Sequence, residues 1–232
     1  MSNEFLKDQN IHVRQIMTSS GHPLPLPLWK EDEIFQSIME ELKSNTMVDL
    51  IRCFMLYQLA IQAAPIPGNV AEVGVWKGGT AKLLEIAFES RGCKKNIHLF
   101  DTFSGLPEIS ADQDRHFHKK GDFNDASLDY VRTLFQNSHN IHIYPGIFPE
   151  SAKALRSAGF CFVHIDVDLY KSALDACSFF YEKLAPGGIM AFDDYGFPTC
   201  PGVKTAVDEF FSRDHRERPI YLPTGQCIIL KR

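Results

Sequence analysis

Two apolar runs in the second half of the chain end in clustered carboxylates, and this limits the folds open to it. One reads Phe162-Val163-His164-Ile165-Asp166-Val167-Asp168-Leu169-Tyr170, the other Ile189-Met190-Ala191-Phe192-Asp193-Asp194-Tyr195. Each has the unbroken apolar character of a strand buried on both faces, as in parallel sheets covered by helices. In such sheets ligands gather at the carboxyl ends of the strands. Two acidic ends side by side would make a hard-cation site.

The intervening chain alternates in the way such a sheet requires. Residues 70–75 read as a strand, followed by Trp76-Lys77-Gly78-Gly79-Thr80 and a helix over 81–90. The strand of residues 96–100 ends on Asp101, and a helix over 127–136 leads to a strand at 141–144. Helices are expected at 150–158, at 175–183 before the turn Leu184-Ala185-Pro186-Gly187-Gly188, and at 202–211. Residues 220–222 and 227–230 should close a hairpin around Pro223-Thr224-Gly225. This predicts an α/β fold with a doubly wound, mainly parallel sheet and an antiparallel C-terminal strand.

Upstream, residues 30–64 carry helical periodicity broken near Ser44-Asn45-Thr46, and Pro65 and Pro67 stop the second of two N-terminal helices. Before them the alternating prolines of residues 21–29 form an extended arm, read as a surface strap, a lid or an oligomer contact. The expected division is therefore an N-terminal arm with helices (1–64) and a main domain (65–232).

Composition excludes some partners. A net charge of −5 offers no field to nucleic acid or an anionic membrane, so a small molecule is the expected partner. Residues 1–10 lack the build of a secretory signal, and a cytoplasmic location is expected. The six cysteines lack a C-x-x-C pair and read as buried, reduced thiols rather than a disulfide or zinc framework.

The first strand-turn-helix unit has the build of a nucleotide site, with glycines that let backbone approach a ligand. Its spacing, Gly74-x-x-x-Gly78-Gly79 with Glu72 inside the strand, departs from the G-x-G-x-x-G of pyrophosphate binders. A cofactor without phosphates suits it better than a dinucleotide. Asp101 sits where an acidic side chain accepts ribose hydroxyls, in dinucleotide and adenosyl sites alike. The polar stretch of residues 102–124 reads as a substrate-facing loop or a disordered insertion. His139, His142 and His164 read as core or hydrogen-bonded histidines, and Asp166 or Asp168 could instead cap the next helix.

Five ordered motifs carry a family resemblance: Glu72-Val73-Gly74-Val75-Trp76-Lys77-Gly78-Gly79, Asp101-Thr102-Phe103-Ser104-Gly105-Leu106-Pro107, His164 to Tyr170, Leu184 to Gly188, and Asp193-Asp194-Tyr195 with the following Pro201-Gly202-Val203-Lys204. From about residue 47 onward the chain resembles the macrocin O-methyltransferase (TylF/MycF) family. The resemblance implies a Rossmann-like class I methyltransferase that uses S-adenosylmethionine and magnesium (Mg2+) to methylate a hydroxyl, commonly on a deoxysugar. It implies Asp166, Asp193 and Asp194 as metal ligands, with Asp166 also the catalytic base. Glu72, Gly74, Thr80 and Asp101 are implied as cofactor contacts, with Trp76 and Gly78 in the same turn.

That chemistry is coherent. An alcohol must lose its proton as the C–O bond forms, a chelated cation lowers its pKa, and a nearby carboxylate takes the proton. Oxygen-only ligands favour magnesium, and a chelating diol, as on a sugar, is the natural acceptor. The competing readings are a catechol-type O-methyltransferase, a nicotinamide-dependent dehydrogenase and a catalytically silent adenosyl-binding protein.

Overall fold

The computed structural model describes residues 27–114, 117–212 and 217–232, so most of the proline-leucine arm lies outside the described residues. The chain divides into two compact units, Met1–Ser37 and Ile38–Arg232, with the boundary inside helix α1 (Glu33–Leu42). In the first unit, a 3-10 turn over Leu28–Lys30 precedes the helix, and Asp32 Oδ1 accepts from the Phe35 amide at 2.9 Å.

The second unit carries helix α2 (Leu50–Ala63), then β1 (Asn69–Val73), α3 (Gly79–Ser90), β2 (Ile97–Asp101), α4 (Ala111–Asp114), α5 (Leu128–Leu134) and β3 (Ile141–Pro145). It continues with β4 (Phe160–Ile165), α6 (Tyr170–Phe180), β5 (Leu184–Phe192), α7 (Pro201–Ser212), β6 (Ile220–Tyr221) and β7 (Cys227–Leu230). Helix α2 starts where Asp49 accepts from the Ile51 and Arg52 amides, at 3.0 and 3.1 Å.

The seven strands lie in the order β3-β2-β1-β4-β5-β7-β6. The first five are parallel, and β7 pairs antiparallel with β5 and β6. The expected doubly wound sheet with an antiparallel C-terminal end is thus observed. The chain leaves β1 toward β2 on one side and returns to β4 on the other, so a crevice opens at the carboxyl ends of β1 and β4. All six residues of β4 are buried, which accounts for its apolar pattern, broken only by His164. Phe160 and Phe180 meet edge-to-face at 5.0 Å, and Phe148 stacks on Phe180 at 5.4 Å, which locks α6 against the sheet.

Two helix predictions need correction. Residues 150–158 form only a 3-10 segment, Glu150–Leu155, because so short a stretch between Pro149 and Gly159 cannot offset the cost of nucleating an α-helix. The helix expected at 175–183 starts five residues earlier, at Tyr170, and passes into a 3-10 turn at Tyr181–Lys183. No neighbouring side chain caps it; Asp114 of α4 accepts from the Tyr170 amide at 2.6 Å. That cap comes from a residue 56 positions away, so no local start signal marks it.

Among the described residues no helix is long and apolar enough to cross a membrane. All six cysteines are free, and five are buried.

His98, in the middle of β2, pairs with the Tyr144 hydroxyl at 3.0 Å and stacks on His142 at 5.0 Å. Burial, with His142 beside it, pushes its pKa down to about 4. A depressed histidine leaves stability intact above its unfolded pKa, and that stability is lost as pH falls toward the folded value. Between pH 7 and pH 5 this is about 2 kcal/mol. In urea titrations a His98→Phe protein should lose about that much less stability over this interval than the parent. Equal losses would show that His98 carries none of the acid sensitivity.

Candidate active site

The crevice is a cavity of about 270 Å³. Its walls include Gly74, Val75, Trp76, Thr80, Asp101 and Thr102 at one end and Asp166, Asp168, Asp193 and Asp194 at the other. Three backbone hydrogen bonds extend the ladder beyond the strands and seat these residues: Gly74 N to Phe100 O, Asp166 N to Val73 O and Asp193 N to Ile165 O, each 2.9 Å.

The two ends touch through main chain. Gly74 has φ +85°, and a Cβ there would stand 1.7 Å from the Asp166 carbonyl oxygen. Only glycine fits, for backbone geometry and for space.

Asp101 closes the turn after β1. Its Oδ2 accepts from the Val75 and Trp76 amides at 2.7 and 2.9 Å, and its Oδ1 from the Phe103 amide at 2.7 Å. The Gly78 amide goes to Val75 O at 2.8 Å and the Gly79 amide to Asn45 O at 2.9 Å. Four amides of this turn are therefore committed inside the protein, which leaves fewer donors for a dinucleotide pyrophosphate and counts against the dehydrogenase reading.

Two residues expected at the cofactor lie off the cavity wall. Gly78 serves the backbone, as the left-handed residue (φ +83°) ahead of α3. Glu72 is fully buried and accepts from His164 Nδ1 at 2.7 Å, and His164 Nε2 lies 3.6 Å from Asp193 Oδ1. Burial disfavours the imidazolium, but the adjacent carboxylates of Asp193 and Glu72 outweigh it and raise the His164 pKa to about 10.

Asp166, Asp193 and Asp194 converge, with one oxygen from each lying within 4.8 Å of the others. Burial, then the neighbouring carboxylates, push Asp166 and Asp194 well above the usual carboxylate range. Asp193 Oδ2 pairs with Arg52 Nη1, and its Oδ1 accepts from Gln226 Nε2 at 2.8 Å. Arg52 also holds Asp49 at 2.7 Å and lies over the Phe197 ring at 4.7 Å.

Asp168, which the sequence also offers as a helix cap, lines the cavity itself. Its backbone is left-handed (φ +60°), and its amide donates to Asp194 Oδ2 at 3.0 Å. Neither Asp166 nor Asp168 caps α6, so the capping alternative does not explain them.

Arg52, Gln226 and His164 were missed as parts of the site. A hint existed for Arg52, a lone cation within the apolar face of α2, and for His164, which sits two residues before Asp166 in a strand otherwise free of charge. Gln226 carried no comparable signal.

A model of the macrocin O-methyltransferase (TylF) family matches residues 42–231. The chain belongs to this family. It is therefore an O-methyltransferase, and its sheet is that of a class I methyltransferase. Relatives of this macrocin O-methyltransferase family member include the 8-demethyl-8-(2,3-dimethoxy-alpha-L-rhamnosyl)-tetracenomycin-C 4'-O-methyltransferase of Streptomyces olivaceus, 27% identical over 189 residues, or 76% of this chain and 71% of that one. The mycinamicin III 3''-O-methyltransferase of Micromonospora griseorubida is 28% identical over 187 residues, 73% of this chain and 71% of that one. Among solved structures, the O-methyltransferase NovP superposes with a TM-score of 0.70 at 26% identity, covering 81% of this chain and 82% of that one.

Since Asp101 holds three amides, an Asp101→Ala protein should unfold with about 3 kcal/mol less free energy, and Asp101→Asn should recover part of it. Chemical denaturation measures both. Unchanged stability in the alanine variant would show that water replaces the carboxylate without cost.

Proposed function

We propose that this chain transfers the methyl group of S-adenosylmethionine to a hydroxyl on the sugar of a glycosylated small molecule, with magnesium at the three carboxylates. The observation that carries the reading is the convergence of Asp166, Asp193 and Asp194 on a cavity whose other end is the Gly74 turn and Asp101. The sugar is supported by the rhamnosyl compound in the name of one relative, and the donor by the fold.

The residues present fit a hard dication. All three ligands are oxygen, and burial together with their mutual repulsion holds two of them above their usual range, a cost that a dication offsets. A bound dication supplies Lewis acidity that makes the acceptor hydroxyl more acidic. Asp193 is pre-oriented for its part by Gln226 and Arg52, which fix the carboxylate before any ligand arrives. Asp101 uses three of its roughly four lone-pair sites, two on the turn after β1 and one on Phe103, which leaves room for one ribose hydroxyl. Asp166 accepts the acceptor's proton in this reading, and the main chain of Gly74 keeps it at a fixed distance from the donor end.

A second reading for the base is Asp168. It lies outside the three-carboxylate set and faces the same cavity, with Oδ1 3.4 Å from Cys200 Sγ and Oδ2 left to take a proton. Burial also holds its pKa above the usual range.

The test is methyl transfer to rhamnosylated and catecholic acceptors, with and without EDTA. Asp193→Asn should lower magnesium-dependent turnover at least about a hundredfold while S-adenosylhomocysteine still binds in calorimetry. Turnover equal to the parent's would sink the metal role. Asp166→Asn and Asp168→Asn proteins, compared by their pH-rate profiles, assign the base: the variant that loses the acidic limb held it.

A further inference from the structure

On the far side of Asp168 lies a second group of ligating atoms, of which the methyl-transfer reading uses only Asp168, as the alternative base; a cation held there would leave that role to Asp166. His118 Nε2 lies 3.5 Å from Cys200 Sγ and 3.7 Å from Asp168 Oδ1, and Cys200 Sγ lies 3.4 Å from Asp168 Oδ1. We infer that His118, Asp168 and Cys200 form a second cation site, of the zinc class, separate from the three-carboxylate set.

The argument is geometric and chemical. Zinc ligands stand about 2.3 Å (S), about 2.0 Å (N) and about 2.0 Å (O) from the metal in a tetrahedron, which separates S from N and S from O by about 3.5 Å each and N from O by about 3.3 Å. The observed triangle matches the two sulfur edges to about 0.1 Å and needs only a few tenths of closure on the third. Its donors are one imidazole, one thiol and one carboxylate, a set suited to zinc or cobalt and ill suited to magnesium. The other imidazole nitrogen, His118 Nδ1, faces Asp122 Oδ2 at 4.0 Å, the kind of outer carboxylate that orients a metal-bound histidine. Cys200 is buried, whereas His118 and Asp168 are partly exposed and Asp168 borders the cavity, so a fourth position is left on the open side.

The three ligands come from separate segments: the loop before α5, the turn after β4 and the residue before α7. An ion there ties the loop to the sheet edge.

The same distances would serve a purely hydrogen-bonded triad, and a cobalt titration separates the two. The full chain, stripped with chelator and then held in saturating magnesium, is titrated with cobalt(II) and followed by absorbance. One equivalent should produce a thiolate-to-cobalt charge-transfer band that zinc then bleaches, and zinc should raise the unfolding temperature. Cys200→Ser should abolish the band. His118→Gln, in a partly exposed loop, should weaken cobalt binding at least about tenfold with the fold intact by circular dichroism. Asp193→Asn should retain the band, since it damages only the other site. The inference is overturned if the parent shows no band, if the band survives Cys200→Ser, if His118→Gln binds cobalt as tightly as the parent, or if Asp193→Asn abolishes it.

Discussion

Five carboxylates, those of Glu72, Asp166, Asp168, Asp193 and Asp194, crowd the carboxyl edge of β1, β4 and β5, and a sheet cannot bury that much like charge unaided. Two cations make the arrangement tolerable. His164 sits within β4 between Glu72 and Asp193, where both partners favour its charged form. Arg52 reaches Asp193 from α2. An isolated buried ion costs several kcal/mol, so each of these groups is held in place by the others and none is a free choice. Arg52 thereby ties α2, which lies outside the sheet, to the electrostatics of the site.

The parallel sheet could be read from the sequence because strands buried on both faces leave a signature that neither period nor context can hide: β4 is apolar from Phe160 to Ile165 apart from one histidine. Asp166, Asp193 and Asp194 were visible for the same reason, as carboxylates stationed at the ends of such runs. Arg52, 141 residues from its partner, and Gln226, 33 residues from it, could not be read, because their roles exist only once β7 and α2 are packed. The start of α6 was hidden in the same way, since its cap is Asp114. Glu72 was singled out from a motif, but the strand turns it inward to His164.

The turn after β1 shows how one carboxylate can decide a ligand class. By drawing in the amides of Val75 and Trp76, Asp101 converts a stretch that in other doubly wound proteins cradles phosphate into a closed, self-satisfied loop. A cationic or neutral ligand portion meets an acidic rim instead of a ring of donors.

Gly74 and Asp166 meet without an intervening side chain. The spacing between the two ends of the cavity is consequently a property of the backbone, insulated from drift in the side chains around it. Side chains in the surrounding loops and helices can change while that spacing stays constant.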